Sequence, residues 1–288
     1  MWGVVGEEAD IWSHVVELAI RLKRILVALI ISTLVLSFIP VSLDPYVPAV
    51  NVFPKKLIEH AVPPTISFMG QTYEVRLAQF NPFGGFNVLF KSALMLGLLG
   101  ASPVIIRETF AYIKPALYPH EERAIKRYSI LAFILFAAGV LLAYYVVIPI
   151  AFRFMFMTSI MVAGEEGLVA FADIEKLFTL AVQLILATGL LFEVPLITYM
   201  LLAAGILEPG FFTGDRMKYA FIISLVIGAV ISPDPSGLGM LVIAVPYYAL
   251  FYIAVKLGIR SYKRRIEKTA RKEFLRVEEP VTAPSQGA

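Results

Sequence analysis

Six predominantly apolar stretches divide this chain: Ile25–Leu43, Phe86–Ile106, Tyr128–Ile150, Leu177–Ala204, Tyr219–Ile231 and Leu238–Leu257. A helix of about 20 apolar residues is long enough to cross the ~30 Å hydrocarbon layer of a bilayer. Inside lipid every backbone N–H and C=O needs an internal partner, so a spanning segment is a helix or part of a closed barrel. The stretches lack the period-two alternation of barrel strands. Composition agrees, with 59% apolar and 16% charged residues and a mean hydropathy of +0.79. An ordinary soluble domain and a disordered chain are excluded. The expected fold is all-α and polytopic, with six transmembrane helices of which the last two are short. The fifth stretch has 13 residues, about 20 Å of helix. It crosses only if the bilayer thins, or if Met217 and the charged flanks are partly submerged. The alternative is a re-entrant hairpin made by the fifth and sixth stretches.

Lys and Arg orient the spans. An even number of spans puts both termini on one side. That side, with the connections 107–127 and 205–218 and the tail, carries 19 of the 25 Lys and Arg residues. Both termini are therefore expected in the cytoplasm of a multi-pass cell-membrane protein. The opening stretch holds acids and no Lys or Arg before Arg21, so a retained first span is expected rather than a cleaved signal. Three regions follow: a cytoplasmic amphipathic helix over 1–24, a membrane domain over 25–258, and a basic cytoplasmic tail over 259–288, expected to be partly disordered.

Polar residues that the membrane did not require are the informative ones. His14, Glu17, Arg21 and Arg24 are spaced 3, 4 and 3 and share one helical face. Glu17 either makes an i,i+4 pair with Arg21, worth about 0.2–0.5 kcal/mol, or presents its carboxylate to a ligand. In 107–127, Pro119 followed by Glu121 and Glu122 reads as a helix start with acids in its first turn. The functional alternative is a carboxylate offered to a cationic ligand beside Tyr112 and Tyr118. Glu193 lies inside the fourth apolar stretch, where a charged acid costs at least about 2.5–3.5 kcal/mol. Pro195 deprives the Leu191 carbonyl of its helical partner, and Gly189 stands one turn earlier. A bend plus an acid suggests an inward-facing polar site, the alternative being a protonated Glu bonded to a neighbouring helix. Asp234, between two prolines, reads as turn chemistry.

Enzyme readings find little support. The chain has no Cys and three His, all outside the apolar stretches. It has no His-Glu-x-x-His, no Gly-x-Ser-x-Gly and no phosphate-binding Gly-x4-Gly-Lys-[Ser/Thr] loop. No catalytic residue, metal or cofactor is expected. A proton-coupled small-solute carrier using Glu193 is the second reading, weakened because such carriers usually string several acids or bases into a relay. A scaffold whose aromatic loop docks a soluble partner is the third.

Several segments together resemble one family, TatC, the multispanning component of the twin-arginine protein translocase. HVVELAIRL is similar to the family's H-L-x-E-L-R-x-R segment. ASPVIIRETFAYIKPALYPHEER is similar to its loop before the third span. AYYVVIPIAFRF resembles the end of that span, TGLLFEVPL the F-E-x-P core of the fourth, and ISPDP and VPYYALFY the last turn and span. The resemblance covers roughly residues 11–258, in the same order. It implies binding of twin-arginine signal peptides of folded cargo at the cytoplasmic face, with Glu17 and Glu121 as carboxylates and with Arg21 and Tyr112 beside them. It also implies contact of the Glu193–Pro195 region with single-span TatA/TatB-type subunits, self-association, and transport driven by the membrane potential or proton gradient. Contacts with membrane lipid are expected, and none with nucleic acid. Two positions depart from the family pattern. Ala19 stands where an Arg is usual, and Glu108 where an amide is more common. That extra acid either strengthens cation binding or pairs with Arg107. The 44–85 connection matches no motif and is assigned only to capping the outer face.

Overall fold

The computed structural model describes residues 4–68, 70–117, 122–163, 170–212, 214, 216–232 and 237–278. Tyr118, Pro119, Glu121 and Asp234 lie outside them. α1 (Val4–Phe38) is a single 35-residue rod. No Gly or Pro interrupts residues 7–38, so the amphipathic segment runs straight into the first apolar stretch. Pro40 opens β1 (Pro40–Leu43), which turns back on β2 (Tyr46–Pro48). The last residues of the first apolar stretch are thus strand, because the residue before a proline is pushed out of the helical region.

α2 (Ala49–Ala61) buries Pro54, Leu57, Ile58 and Ala61, a 3-4-7 spacing that makes one apolar face. β3 (Thr65–Phe68) and β4 (Gln71–Ala78) form a hairpin, and β5 (Ala170–Asp173) joins β4 in parallel. The 44–85 connection is therefore a folded cap. Its Leu57, Ile66 and Tyr73 belong to the main core, and Ser92 on the next helix donates to the Val50 carbonyl at 3.1 Å.

α3 (Gly84–Leu117) returns along α1. α4 (Glu122–Leu142), a π-helical turn over Ala143–Val147 and α5 (Ile148–Ala163) make one continuous segment. The π turn sits just before Pro149, which has no N–H to continue the ladder, and the Ile148 N–H reaches back to the Ala143 carbonyl. α6 (Ile174–Leu191) and α7 (Val194–Ala204) are the two halves of the fourth stretch. The bend expected near Pro195 is a complete break at Phe192–Glu193, with Pro195 in the first turn of α7. α7 stops at Gly205, whose φ of +78° is a left-handed cap.

α8 (Arg216–Ile231) is short, 16 residues. The last helix is not: α9 (Leu238–Glu278) runs for 41 residues. Only its apolar part is as brief as expected. The helix continues through 259–278 of the basic tail because Arg, Lys, Glu and Ala are good helix formers without any lipid to face. Among the described residues four segments are long and apolar enough to cross a membrane: Gly84–Tyr112, Arg127–Val162, Ile174–Ala204 and Leu238–Glu267. α1 and α8 supply the two shorter apolar passes.

Lipid offers helices no hydrophobic reason to associate, so close packing must do the work. Glycines permit it. A Cβ at Gly97 would lie 1.9 Å from Thr33 Oγ1, and one at Gly100 would lie 2.3 Å from Ser32 Oγ, where α3 crosses α1. A Cβ at Gly139 would lie 2.7 Å from the Thr188 carbonyl and 2.9 Å from Gly189 Cα, where α4 crosses α6. Gly189 is thus where α4 comes close to α6. Gly228 plays the same part between α8 and α9, where a Cβ would lie 2.6 Å from the Met240 carbonyl. Two apolar clusters result. The larger joins Phe152, Phe178, Ile185 and Ile243 to the strand-bearing cap. The smaller joins Ile106, Phe110, Ala132, Phe136, Leu196 and Met200, toward the end that carries the first half of α1 and the far half of α9.

Gly139→Ala should therefore lower thermal stability in detergent, by about 1–3 kcal/mol of overpacking, because the atoms in the way are backbone. Gly210→Ala, where nothing lies within 4 Å of the new Cβ, is the control and should leave the melting curve unchanged.

Candidate functional site

The antiparallel α1–α3 crossing brings Glu17, Arg21 and Arg24 against Glu108. Arg21 uses both sides of its guanidinium. Its Nε and Nη2 donate to Glu17 Oε1 at 3.0 and 2.5 Å, and its Nη1 donates to Glu108 Oε2 at 3.3 Å. Arg24 Nη1 reaches the same Glu108 oxygen at 3.4 Å. The Glu108 side chain is 7% exposed and that of Glu17 is 37% exposed. A carboxylate so buried needs charged donors, since an isolated charge out of water costs several kcal/mol. Glu108 has two. It takes Arg21 and Arg24 from another helix rather than Arg107, its chain neighbour, which is exposed.

The i,i+4 pair Glu17–Arg21 is therefore present, as one part of a larger cluster. Tyr112 lies one helical turn beyond Glu108 on α3 and is 38% exposed. Ile106 and Phe110 are buried on either side of Glu108 in the smaller apolar cluster, which closes the site from below. Glu121 falls outside the described residues.

Glu193 sits apart, at the α6–α7 break. Its side-chain oxygens are buried and accept no hydrogen bond among the described residues. Its backbone is engaged, with N–H to the Leu190 carbonyl at 3.1 Å and C=O to the Ile197 N–H at 3.1 Å. Pro195 is fully buried beside it. Thr188 Oγ1, near the same break, is likewise buried without a partner. Glu193 and the Glu17–Glu108 cluster are thus two sites, on different helices.

A third polar cluster lies at the strand-bearing end, and reading the residues in order did not find it. Glu175, in the first turn of α6, accepts from Asn81 at 3.1 Å and Asn87 at 2.8 Å, with Lys91 Nζ at 3.5 Å. Lys91 also donates to Thr179 at 2.7 Å. These partners are 84 to 94 positions from Glu175 or one helical turn along α6, so only an amide- and Lys-bearing face on α3 could have hinted at an acid opposite. The cluster borders a cavity of about 450 Å³ lined by Asn81, Lys91, Asp173, Thr179 and Gln183. No group of three or more His, Asp or Glu that could hold a metal ion occurs among the described residues.

The family model for the Sec-independent protein translocase protein TatC matches residues 13–246. The TatC protein of Aquifex aeolicus is 33% identical over 196 residues, covering 67% of this chain and 78% of that protein. The TatC protein of Listeria innocua is 30% identical over 202 residues, covering 70% and 79%. A crystal structure described as the twin arginine translocase receptor TatC superposes with a TM-score of 0.63 at 27% identity, covering 86% of this chain and 99% of that one. With the apolar passes, the break before Pro195 and the order of motifs all in place, the chain belongs to the TatC family, six-span membrane subunits of a protein translocase that work with other Tat subunits and serve transport rather than catalysis.

Proposed function

We propose that the end of the bundle bearing Glu17, Arg21 and Glu108 faces the cytoplasm and binds the twin-arginine motif of signal peptides on folded cargo, with Glu121 and Tyr112 completing the site. The observation that carries this reading is the chemistry already present there: Glu17 and Glu108 both take up guanidinium groups, and Arg21 is held by the two together. A ligand with two adjacent Arg side chains offers the same groups to the same oxygens. Guanidinium prefers planar, paired acceptors, for which Lys is a poor substitute. Tyr112 adds an exposed ring on which a guanidinium can stack.

The average field opposes such a ligand, since 107–127 holds five basic and three acidic residues. Binding then depends on local carboxylate geometry, and it weakens as salt screens the exposed partners. Glu193 and Pro195 form the second functional region. A buried carboxyl without a hydrogen-bond partner among the described residues, in a pass broken open at that residue, suits contact with a polar group on a single-span partner subunit.

Glu121→Ala should weaken cross-linking of a twin-Arg peptide by about ten- to a hundredfold, the worth of a charge-assisted bond, and Glu122→Ala by much less. A twin-Lys peptide should cross-link poorly to either protein. Equal losses for the two variants would place the site elsewhere.

Orientation is open to a direct check, because the chain has no Cys of its own. His60→Cys, on α2, should react with an impermeant thiol reagent only from the non-cytoplasmic side. Labelling from the cytoplasm alone would invert the topology.

Glu193→Gln should keep the fold, peptide cross-linking and partner co-purification, because the amide preserves size and hydrogen bonding. Glu193→Ala should keep peptide cross-linking and lose much of the partner. Loss of peptide with the partner retained would contradict the division of labour. Loss of pH-driven solute uptake in partner-free vesicles would replace it by the carrier reading.

A further inference from the structure

α9 presents one exposed stripe along most of its length. Leu238, Leu241, Val245, Ala249, Tyr252 and Ile253 are all exposed. Steps of 3 or 4, with Tyr252 and Ile253 side by side at the end, keep them on one face of the helix. In a chain that crosses the bilayer this is a lipid-facing surface. The same spacing continues into Lys256, Arg260, Lys263 and Arg264, and these too are exposed. The stripe changes from apolar to cationic within one turn and does not leave its face. Glu267, the next residue on that face, ends the unbroken basic run. Arg265 belongs to another face, donating to the Ala204 carbonyl at the end of α7.

Two contacts place the change in depth. The Tyr248 hydroxyl donates to the Met217 carbonyl at 3.5 Å, and Phe212 meets Phe251 edge-on with centroids 6.0 Å apart. α8 therefore begins at the level of residues 248–251, and Lys256 stands about 8–12 Å further along the axis, the thickness of a headgroup layer. Lys256 Nζ lies over the Tyr252 ring at 4.4 Å, which ties the first cation to an aromatic of the kind that settles at the membrane interface.

We infer that Lys256, Arg260, Lys263 and Arg264 form a binding site for the headgroup of an anionic phospholipid whose acyl chains lie along the Val245–Ile253 face. The argument is complementarity on two counts. A ligand that matches the whole stripe must be anionic at one end and apolar at the other. Lys256, Arg260 and the adjacent pair Lys263–Arg264 rise by one helical turn at a time, about 5–6 Å, so they meet a phosphodiester and the glycerol region above it without distortion. A free phosphate would match only the upper half.

The test uses the full chain purified in detergent with equal amounts of phosphatidylglycerol and phosphatidylcholine, and intact-protein mass spectrometry to count the retained lipids. The wild type should retain phosphatidylglycerol in preference. The variant Lys256→Gln/Arg260→Gln/Lys263→Gln/Arg264→Gln should lose that preference by about tenfold or more, because every cation of the stripe is gone. Arg76→Gln, at the opposite end of the molecule, should leave it unchanged. Arg264→Gln alone, at an exposed position, should give a smaller loss and keeps the idea testable if the quadruple variant fails to fold. No preference in the wild type, or an unchanged preference in the folded variants, would mean that the stripe serves orientation only. Displacement of the lipid by millimolar inorganic phosphate would point to a soluble-anion site. Each of those results overturns the inference.

Discussion

The crossing of α1 and α3 is held at two levels by opposite kinds of chemistry, and the rest of the bundle is hung on it. Near mid-helix, Gly97 and Gly100 let α3 rest against α1 at Thr33 and at the Ser32 and Leu36 side chains. Nearer the terminal end, Arg21 and Arg24 reach across to Glu108. Neither level suffices alone. Without the close approach Glu108 would face lipid with its charge unmet. Without the ion pairs the widening ends of two long helices would have only dispersion to hold them. α3 then delivers Ile106 and Phe110 to α4 and α7, and through them the smaller core forms.

The molecule treats two buried glutamates in contrasting ways. Glu108 has two guanidinium groups within 3.4 Å and is part of the architecture. The Glu193 carboxyl has no hydrogen-bond partner among the described residues. The break at Phe192–Glu193 gives its backbone a turn-like set of bonds, so the main chain is satisfied while the side chain is not. A fold retains such an imbalance when something outside it supplies the missing contact, which is why a protein partner is the favoured reading for this residue.

Much of this was legible in the residues. The apolar stretches marked the passes, Pro195 marked the break, and the 3-4-3 spacing put Glu17, Arg21 and Arg24 on one face. Periodicity names faces but not neighbours. It could not say that this face looks at Glu108, 84 to 87 positions away, nor that Lys91 looks at Glu175. Most strands of the cap are too short to show alternation, β2 having three residues, while the eight-residue β4 does carry one, with Tyr73, Val75 and Leu77 at every second place. The last apolar stretch is as short as expected, and α9 runs on past it because the end of an apolar run marks the edge of the lipid, whereas helices end where propensity or a proline stops them.

The π-helical turn at Ala143–Val147 has a consequence for how the third pass is read. One residue more than an α-helix needs is accommodated in that turn, so the two halves of the segment are written in different frames. Ile148 and Phe152 stand 16 positions after Ala132 and Phe136, about 160° round an unbroken α-helix, yet both sets are buried because the π turn takes up about 100° of that. The turn is a phase shifter: it lets α4 serve the smaller core and α5 the larger one without twisting the rod. Removing a single residue there would restore an ordinary helix and leave Phe152, Phe156 and Ile160 on the inner face they now fill, whereas the same deletion just after the turn, before Phe152, would rotate them by about 100°.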